Sequence, residues 1–270
     1  MRIGLIGFGT IARELLARLP GTLDGAAPVV AAVLSERTLE RRGGGKPADG
    51  LEATFGTARE LLAWGPELVI ECAAHAGVEA HVPPCLRHGV DVIVVSVGAL
   101  ADGDLHARLE QEARRGGGRM ILPAGAIGGL DLLGALGQAG LESVRYRSVK
   151  PPAAWRGSPA EDLLDLDAVD SPATFFEGDA RGAARDFPKN ANVAATLALH
   201  GLGFERTEVR LVADPGASGN THEIEARGAS GEFSLRVTGR PSAGNARTSL
   251  TTVLSVLHEI GRWRESSCGA

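Results

Sequence analysis

Cysteine is scarce in this sequence, and no run of apolar residues is long enough to span a bilayer. The three cysteines, Cys72, Cys85 and Cys268, are odd in number and lack the spacing of a disulfide framework. Such sparse use of cysteine is typical of a reducing compartment. The start of the chain also lacks the charged segment, apolar core and cleavage site that make up a secretory leader. We therefore expect a cytoplasmic protein without a membrane anchor.

An excess of positive charge is also lacking. The 28 lysines and arginines are outnumbered by 33 aspartates and glutamates, so the formal net charge is -5. This balance offers no broad attraction to nucleic acid. With 270 residues, of which 44% are hydrophobic, the chain can bury a sizeable core and is long enough for two globular domains.

The first residues combine a short apolar strand, a glycine-rich turn and an amphipathic helix. Gly7, Gly9 and Ala12 form the pattern G-x-G-x-x-A, in which the first glycine allows a tight turn and the second lets a pyrophosphate approach. Ala12 is small enough for the helix to pack on the strand. Thr10 and Ile11 begin that helix, whose free N–H groups attract phosphate. The segment predicts a dinucleotide-binding site rather than a merely structural turn.

A second apolar strand, residues 28–34, ends where the ribose of a bound dinucleotide lies in such domains. The residues that follow it are Ser35, Glu36 and Arg37. A carboxylate at this point favours the free 2′-hydroxyl of NAD, whereas Ser35 and Arg37 suit the 2′-phosphate of NADP. Because Glu36 stands between them, the sequence is compatible with either NAD or NADP as the cofactor.

Strands and helices alternate through the first half of the chain. Further apolar strands are predicted at 68–74, 90–96 and 119–123, with a helix at about 101–115. This alternation indicates an α/β fold in which a doubly wound parallel sheet, a Rossmann domain, is covered on both faces. Residues 1–123 are therefore expected to form the dinucleotide-binding domain.

The pattern changes after residue 123. Longer alternating strands are predicted at 144–149, 209–213, 222–226 and 232–237, and helical segments at 159–166, 178–186 and 192–202. This mixture favours a second α+β domain, an open mixed sheet with helices on one face. We expect it to comprise residues 124–245 and to carry the substrate, the catalytic groups and the dimer contacts. An amphipathic helix at 249–262 is expected to return to the first domain, which then includes about 246–270.

Histidines and cysteines lie close together in one segment and raise the question of a zinc site. They are Cys72, His75, His81, Cys85 and His88. On one continuous helix, three of them would share a face. Their spacing matches no familiar zinc pattern, and Pro83 and Pro84 are expected to interrupt the helix that would align them. We therefore expect no metal, and ordinary packing as the role of these residues.

His222 follows a glycine-rich turn and begins a predicted strand. Histidine titrates near neutral pH and accepts a proton from water or an amine, which suits a general base. Asp214, on the other side of the turn, is a candidate for orienting the imidazole. The alternative is that His222 is simply a hydrogen-bonded polar group at the end of a strand.

The segment Phe187–Asn192 precedes a predicted helix and carries Lys189, Asn190 and Asn192. The asparagines suit a helix cap, which is the structural interpretation. In the functional interpretation their amides meet the nicotinamide carboxamide or a substrate carboxylate. Lys189 would then neutralise an anion.

Five separated motifs resemble the L-aspartate dehydrogenase family, and together with the Rossmann start they cover nearly the whole chain in order. They lie at residues 123–131, 150–152, 176–178, 187–194 and 212–215. The family's active-site histidine matches His222. Its cofactor-contact positions match Ala124 and either Asn190 or Asn192.

The resemblance implies an oxidoreductase that converts L-aspartate to iminoaspartate with NAD or NADP. The imine is hydrolysed to oxaloacetate and ammonia or feeds quinolinate and NAD synthesis. His222 would take up the proton and then activate the water that attacks the imine. Cationic or amide side chains are needed for the two substrate carboxylates, and the candidates are Lys189, Asn190, Asn192 and Arg247. The family resemblance suggests a homodimer.

Two other hypotheses use the same Rossmann start. One is a related reductase of another amino or hydroxy acid, since the fold does not select a substrate. The other is a cofactor-sensing protein that catalyses nothing. A profile of substrates separates the first from an aspartate enzyme, and turnover excludes the second.

Overall fold

The computed structural model describes residues 1–23, 28–35, 38, 50–188, 190–239, 241–242 and 245–268. The chain divides into two compact units, the first formed by Met1–Pro123 with Val253–Ala270 and the second by Ala124–Thr252. Within the described residues, no helix is long and apolar enough to cross a membrane.

The first unit is built on parallel strands joined by helices. Its strands are β1 (Arg2–Ile6), β2 (Val29–Val33), β3 (Ala53–Phe55), β4 (Leu68–Glu71), β5 (Asp91–Val94) and β6 (Met120–Ile121). Its helices include α1 (Thr10–Thr22), α2 (Ala58–Trp64), α3 (His75–Arg87), α4 (Gly103–Gly116) and a short 3₁₀ helix, Val97–Ala101. The strands lie in the order β3-β2-β1-β4-β5-β6, and each neighbouring pair is parallel. The predicted Rossmann sheet is confirmed.

The central strands of this sheet are apolar throughout because both of its faces are covered. In β1, Ile3 and Leu5 are completely buried. The sequence pattern predicts neither β3 nor α2, which are a short edge strand and a short helix. A capping box nevertheless marks the start of α2, where Thr57 and Glu60 each accept a hydrogen bond from the other's backbone N–H.

Helix α3 runs through Pro83 and Pro84, so the expected interruption at these residues is wrong. Pro83 lacks an N–H group, which leaves the carbonyl of Glu79 without its helical partner. Arg108 of α4 donates a hydrogen bond to that carbonyl at 3.1 Å. A neighbouring helix therefore replaces the bond that the proline removes.

The second unit contains a mixed sheet. Its strands are β7 (Leu141–Lys150), β8 (Ala173–Asp179), β9 (Thr207–Ala213), β10 (Asn220–Gly228) and β11 (Gly231–Gly239), with a separate short pair, β12 (Pro241–Ser242) and β13 (Asn245–Ser249). Its helices are α5 (Leu130–Ala139), α6 (Pro152–Trp155), α7 (Ala160–Leu163), α8 (Ala180–Asp186) and α9 (Asn192–His200). The order is β11-β10-β7-β9-β8, in which β7 and β9 are parallel and the other pairs antiparallel. The predicted mixed sheet is confirmed.

Two helical predictions in this unit are wrong in extent. Residues 178–179 belong to strand β8, where Gly178 pairs with Val209, and the following helix α8 starts only at Ala180. Pairing with β9 therefore extends the strand into the predicted helix. The helix predicted at 159–166 is limited to Ala160–Leu163, because the backbone of Leu164 is extended.

The last helix, α10 (Leu250–Cys268), packs into the first unit for most of its length. Val253, Val256 and Ile260 are buried on one face of this helix. Trp263 donates a hydrogen bond to the carboxylate of Asp91 in β5 at 2.7 Å. Apolar burial and one polar contact thus fix the helix on the parallel sheet.

The two faces of the mixed sheet differ in polarity. Along β9, Val209 and Leu211 are buried, whereas the alternate residues Glu208 and Arg210 are exposed. The exposed face carries ion pairs between neighbouring strands, among them Arg145–Glu208, Arg147–Glu223 and Arg210–Glu177. The buried face therefore holds the core of the unit, together with the buried polar side chains of Ser148, Lys150 and His222.

Candidate active site

A groove lies at the carboxyl end of the parallel sheet, where β1 turns into α1. Gly7 has a φ of 91°, and a Cβ built on it would lie 2.7 Å from the Cβ of Ala73. A Cβ built on Gly9 would meet nothing within 4 Å, so the backbone there faces open space. Gly9 is also the N-cap of α1. These features fit a dinucleotide, whose pyrophosphate needs close backbone approach and free N–H groups.

The groove has a volume of about 570 Å³, which is in the range of small-molecule sites. The lining includes the two glycines of the turn, two hydroxyl residues after β2 and five residues after β4: Gly7, Gly9, Ser35, Thr38, Cys72, Ala73, Ala74, Ala76 and Gly77. The hydroxyls of Ser35 and Thr38 are 2.9 Å apart and hydrogen-bonded. Ser35, which follows β2, therefore lines the groove.

For the remaining described residues predicted to bind the cofactor, the structure gives burial but no contact with the groove. Thr10 is exposed, Ile11 is half-buried and Ala12 is fully buried in the first turn of α1, so Ala12 packs the helix as expected. Arg37, like Glu36, lies outside the described residues. Ala124 is half-buried at the start of the second unit.

Glu71 is a functional candidate that the sequence reasoning missed. It ends β4 and is completely buried, yet its carboxylate accepts hydrogen bonds from the Ser96 N–H, the Ser96 hydroxyl and the Ala73 N–H at 2.7–2.9 Å. Burial raises the pKa of Glu71, and these donors oppose that rise. A charged residue inside an otherwise apolar strand is the signal that marks it. The carboxylate holds the wall of the groove.

The wall segment that Glu71 supports contains a strained residue. Ala74 has a φ of 75°, in a region that favours glycine, and it is the N-cap of α3. Such strain persists only where the surrounding structure enforces it, and it is common at binding sites. The hydrogen bond from Ala73 to Glu71 fixes the backbone next to this residue.

In the second unit, His222 lies on β10 with 5% of its surface exposed. It is directly opposite Ser148 of the neighbouring strand β7, and its Nδ1 atom is 2.7 Å from the hydroxyl of Tyr146 in the same strand. Burial, with a smaller contribution from the charge of Lys150, lowers the pKa of His222 to about 3. The imidazole is therefore neutral at pH 7.

The prediction that Asp214 orients the imidazole is wrong. The Asp214 carboxylate instead accepts the N–H of Gly216 at 2.8 Å within its own turn. Tyr146 takes the orienting role because residues on alternate positions of β7 share the face on which His222 lies. The sequence reasoning missed Tyr146, although it is the single tyrosine of the chain.

Lys150 and Ser148 lie on the same strand face as Tyr146. Lys150 is 6% exposed, and its Nζ atom lies 4.4 Å from the centre of the Trp155 ring. Burial lowers the pKa of Lys150 to about 8. Ser148 is completely buried. Tyr146, Ser148, Lys150 and His222 thus form one polar cluster, which we call the β7–β10 cluster.

Aromatic contacts link Trp155 to the segment that precedes α9. Trp155 donates a hydrogen bond to the carbonyl of Val212 at 3.0 Å and contacts Phe175 edge-on, with ring centres 4.7 Å apart. Phe175 in turn contacts Phe187, at 5.6 Å between ring centres. These contacts position the beginning of the 187–192 segment relative to the mixed sheet.

The asparagines of this segment do not cap the helix through their side chains. Ala191 is the N-cap of α9, and no side-chain hydrogen bond caps it, so the capping interpretation is wrong. Asn190 and Asn192 are both half-buried, and the backbone N–H of Asn190 donates to the carbonyl of Phe187 at 2.8 Å. Lys189 lies outside the described residues.

Two of the histidines and cysteines around α3, Cys85 and His88, have hydrogen-bond partners on the backbone of that helix. The thiol of Cys85 donates to the carbonyl of His81 at 3.2 Å, and Nδ1 of His88 lies 2.8 Å from the carbonyl of Pro84. Burial raises the pKa of Cys85 to about 12. Among the residues that the structure describes, no group of three or more potential ligands could hold a metal ion.

A Rossmann sheet with a dinucleotide groove, followed by a mixed sheet with a buried histidine, defines a nicotinamide-dependent dehydrogenase built of two units. Residues 7–123 match the family of the homoserine dehydrogenase NAD binding domain, and residues 131–262 match the C-terminal family of aspartate dehydrogenase. The chain belongs to the L-aspartate dehydrogenase family.

Individual relatives support this assignment along the full length of the chain. An L-aspartate dehydrogenase of Cupriavidus taiwanensis is 44% identical over 261 residues, which is 97% of either chain. One from Pseudomonas aeruginosa is 51% identical over 196 residues, 73% of either chain. The crystal structure of an aspartate dehydrogenase from Thermotoga maritima superposes with a TM-score of 0.74 at 25% identity, covering 97% of this chain and 96% of the other.

Proposed function

We propose that this chain oxidises L-aspartate to iminoaspartate with NAD or NADP. The imine is then hydrolysed to oxaloacetate and ammonia, or is passed on to quinolinate and NAD synthesis. The observation that carries the proposal is the buried, hydrogen-bonded pair of Tyr146 and His222, in a chain of the L-aspartate dehydrogenase family.

The first unit supplies the cofactor site. When bound, the nicotinamide ring supplies the acceptor for the hydride that leaves C2 of the substrate. Gly7 and Gly9 would let the backbone approach the pyrophosphate, and the N–H groups near Thr10, Ile11 and Ala12 would face its negative charge. Ser35 and Arg37 are assigned to the ribose end, where they set the preference between NAD and NADP.

We assign to His222 the removal of a proton from the substrate's amino group. A neutral imidazole can accept that proton at Nε2 when Nδ1 carries the ring hydrogen and donates it to the oxygen of Tyr146. Loss of the proton frees the nitrogen lone pair, which forms the C=N bond as the hydride departs. For the hydrolytic step, the imidazolium first releases this proton to solvent, and the neutral imidazole then takes a proton from the water that attacks C2 as ammonia leaves.

The other cofactor residues follow the family resemblance, and the substrate residues follow from side-chain chemistry. We assign Lys189 and Asn192 to the substrate, and Ala124 with Asn190 or Asn192 to the cofactor. The aromatic contacts of Phe187 support this assignment, because they anchor the segment that carries these side chains. Amide groups can donate to a carboxylate or to the nicotinamide carboxamide, so both uses are chemically suitable.

We also propose that the chain forms a homodimer in the cytoplasm. Cys72 and Cys85 are both free thiols, which suits a reducing compartment. The family resemblance is the basis for the dimer. Cell fractionation tests the cytoplasmic location, and the mass in solution tests the homodimer.

The test of the function is the absorbance of NADH or NADPH formed when the purified protein meets L-aspartate and each oxidised cofactor at alkaline pH. L-glutamate, L-alanine and L-malate serve as controls. A signal selective for aspartate is expected. The ratio of the rates with NAD and NADP shows which cofactor the residues after β2, Ser35 to Arg37, favour. Turnover of another acid alone would replace the substrate, and tight cofactor binding without turnover would favour a sensor.

A further inference from the structure

Lys150 is a buried cation without an acidic partner. Among the described residues, no carboxylate lies within ion-pair distance of its Nζ atom, and no hydrogen bond from that atom is formed. Its Nζ atom lies over the face of the Trp155 ring, 4.4 Å from the ring centre. Burying an ammonium group is costly unless a counter-charge is present, so this arrangement is unfavourable for the folded protein by itself.

A second unsatisfied polar group lies next to Lys150 on the same face of β7. The hydroxyl of Ser148 is completely buried, and its interaction with the Tyr146 hydroxyl falls short of a hydrogen bond of normal geometry. Ser148 is directly opposite His222 on the neighbouring strand β10, and Lys150 follows two residues further along β7 on the same face. An ammonium and a hydroxyl are both donors that a carboxylate accepts from.

The neighbours of Lys150 supply no other explanation for the charge. On its own strand, the same face presents Ser148 and Tyr146, and β9 presents Ala213 opposite Lys150. Helix α6 presents Trp155, and β10 presents His222, which is neutral. All of these groups are uncharged. Within the part of the chain that the structure describes, these neighbours supply no negative charge to complement Lys150.

The geometry points to Lys150 and Ser148 as the subsite that binds a carboxylate of the dicarboxylic amino acid beside His222. This inference rests on the proposed function and adds the substrate contact to it. Binding of the carboxylate also reduces the effect of the Lys150 charge on the imidazole, since that charge disfavours protonation of His222. The substrate thereby makes His222 a stronger base than it is in the free protein.

The test compares Lys150→Met with the wild-type protein. Methionine keeps an apolar stem against Trp155 but removes the charge, so we expect the KM for L-aspartate to rise about tenfold or more. The dissociation constant of NADH should stay unchanged. Lys150→Arg keeps a cation and should lose less affinity. Arg145→Met is the matched control, because Arg145 is exposed on the opposite face of the same strand.

Two monocarboxylate inhibitors identify which carboxylate is bound. L-Alanine lacks the side-chain carboxylate of aspartate, and β-alanine lacks the α-carboxylate. If Lys150 binds the α-carboxylate, the inhibition constant of L-alanine rises in Lys150→Met. If it binds the side-chain carboxylate, that of β-alanine rises. Either result supports the subsite, whereas unchanged constants together with an unchanged KM overturn it.

A readout without turnover separates this inference from the proposed function. Succinate, added with NADH, should raise the Tm of the wild-type protein and of Arg145→Met, but not that of Lys150→Met. Without ligand, Lys150→Met should be at least as stable as the wild type, because an unpaired buried charge is removed. A wild-type protein that fails to oxidise aspartate refutes the proposed function. An active wild type with equal succinate protection in Lys150→Met refutes the subsite alone.

Discussion

His222 depends on its neighbours for both its protonation state and its direction. Burial keeps the imidazole neutral, and the hydrogen bond with Tyr146 holds the Nδ1 side of the ring against the tyrosine hydroxyl. Neither effect is encoded next to His222 in the sequence, since Tyr146 is 76 residues away. The chemistry therefore belongs to the pair rather than to the histidine alone.

Replacement of His222 tests this role directly. His222→Gln keeps a polar side chain without a titrating ring, so we expect kcat to fall about a hundredfold or more through loss of the proton acceptor. The affinity for NADH should change little. Tyr146→Phe retains the imidazole but frees Nδ1, and its loss should be smaller. A His222→Gln variant with the kcat of the wild type would remove His222 from the mechanism.

At the scale of elements, the wall of the dinucleotide groove is held by one buried carboxylate. Glu71 connects the end of β4 to Ser96, which follows β5, and to the backbone of the 72–74 segment. Two neighbouring strand ends are therefore tied together at the point where a cofactor binds in a parallel sheet.

Glu71→Gln tests the importance of this connection. An amide supplies one acceptor oxygen and an NH₂ group, which would face N–H donors where the carboxylate now accepts. We expect the dissociation constant of NADH, measured by fluorescence titration, to rise about tenfold as the segment shifts. Ser96→Ala removes only the hydroxyl and should have a smaller effect. NADH affinity equal to that of the wild type would show that the segment holds its position without the carboxylate.

The elements also show how far the sequence pattern reaches. The apolar runs of β1, β2, β4 and β5 are predictable because strands covered on both faces must be apolar. β8 was not predicted as a strand, although Thr174, Phe175 and Phe176 favour one; its extension through Gly178 depends on pairing with β9. The continuity of α3 through Pro83 likewise depends on Arg108 of another helix.

At the scale of the whole molecule, stability should depend on pH through His222. The pKa of this residue is about 3 in the folded protein, compared with 6.5 for an unperturbed histidine. Between these values the unfolded chain binds a proton that the folded chain does not. The free energy of unfolding therefore falls as the pH is lowered from 6.5 towards 3.

Urea unfolding at about pH 7 and pH 5 checks this dependence. The wild-type protein should lose more stability between the two conditions than His222→Gln, in which the titrating group is absent. Tyr146→Phe keeps the histidine and should retain most of the pH dependence. Equal losses in the wild type and His222→Gln would mean that His222 is not buried in a neutral form.

The proposed homodimer is also a property of the whole molecule. Light scattering coupled to size-exclusion chromatography should give about twice the chain mass of 27.9 kDa. The exposed face of the mixed sheet carries inter-strand ion pairs such as Arg145–Glu208, and charged groups of this kind are stable in water. The dimer is therefore tested by the mass in solution and not by the polarity of this face. A mass equal to one chain at micromolar concentration would refute the dimer.

The sequence by itself determined the parallel sheet, the glycine turn at Gly7 and Gly9 and the choice of His222 as a candidate base. Each depends on local periodicity, on backbone freedom or on side-chain chemistry, which are readable along the chain. Only the tertiary structure decided that Tyr146 rather than Asp214 holds His222, and that Lys150 and Ser148 lie beside it. Those contacts depend on the register between β7 and β10, and register is set by pairing between distant segments.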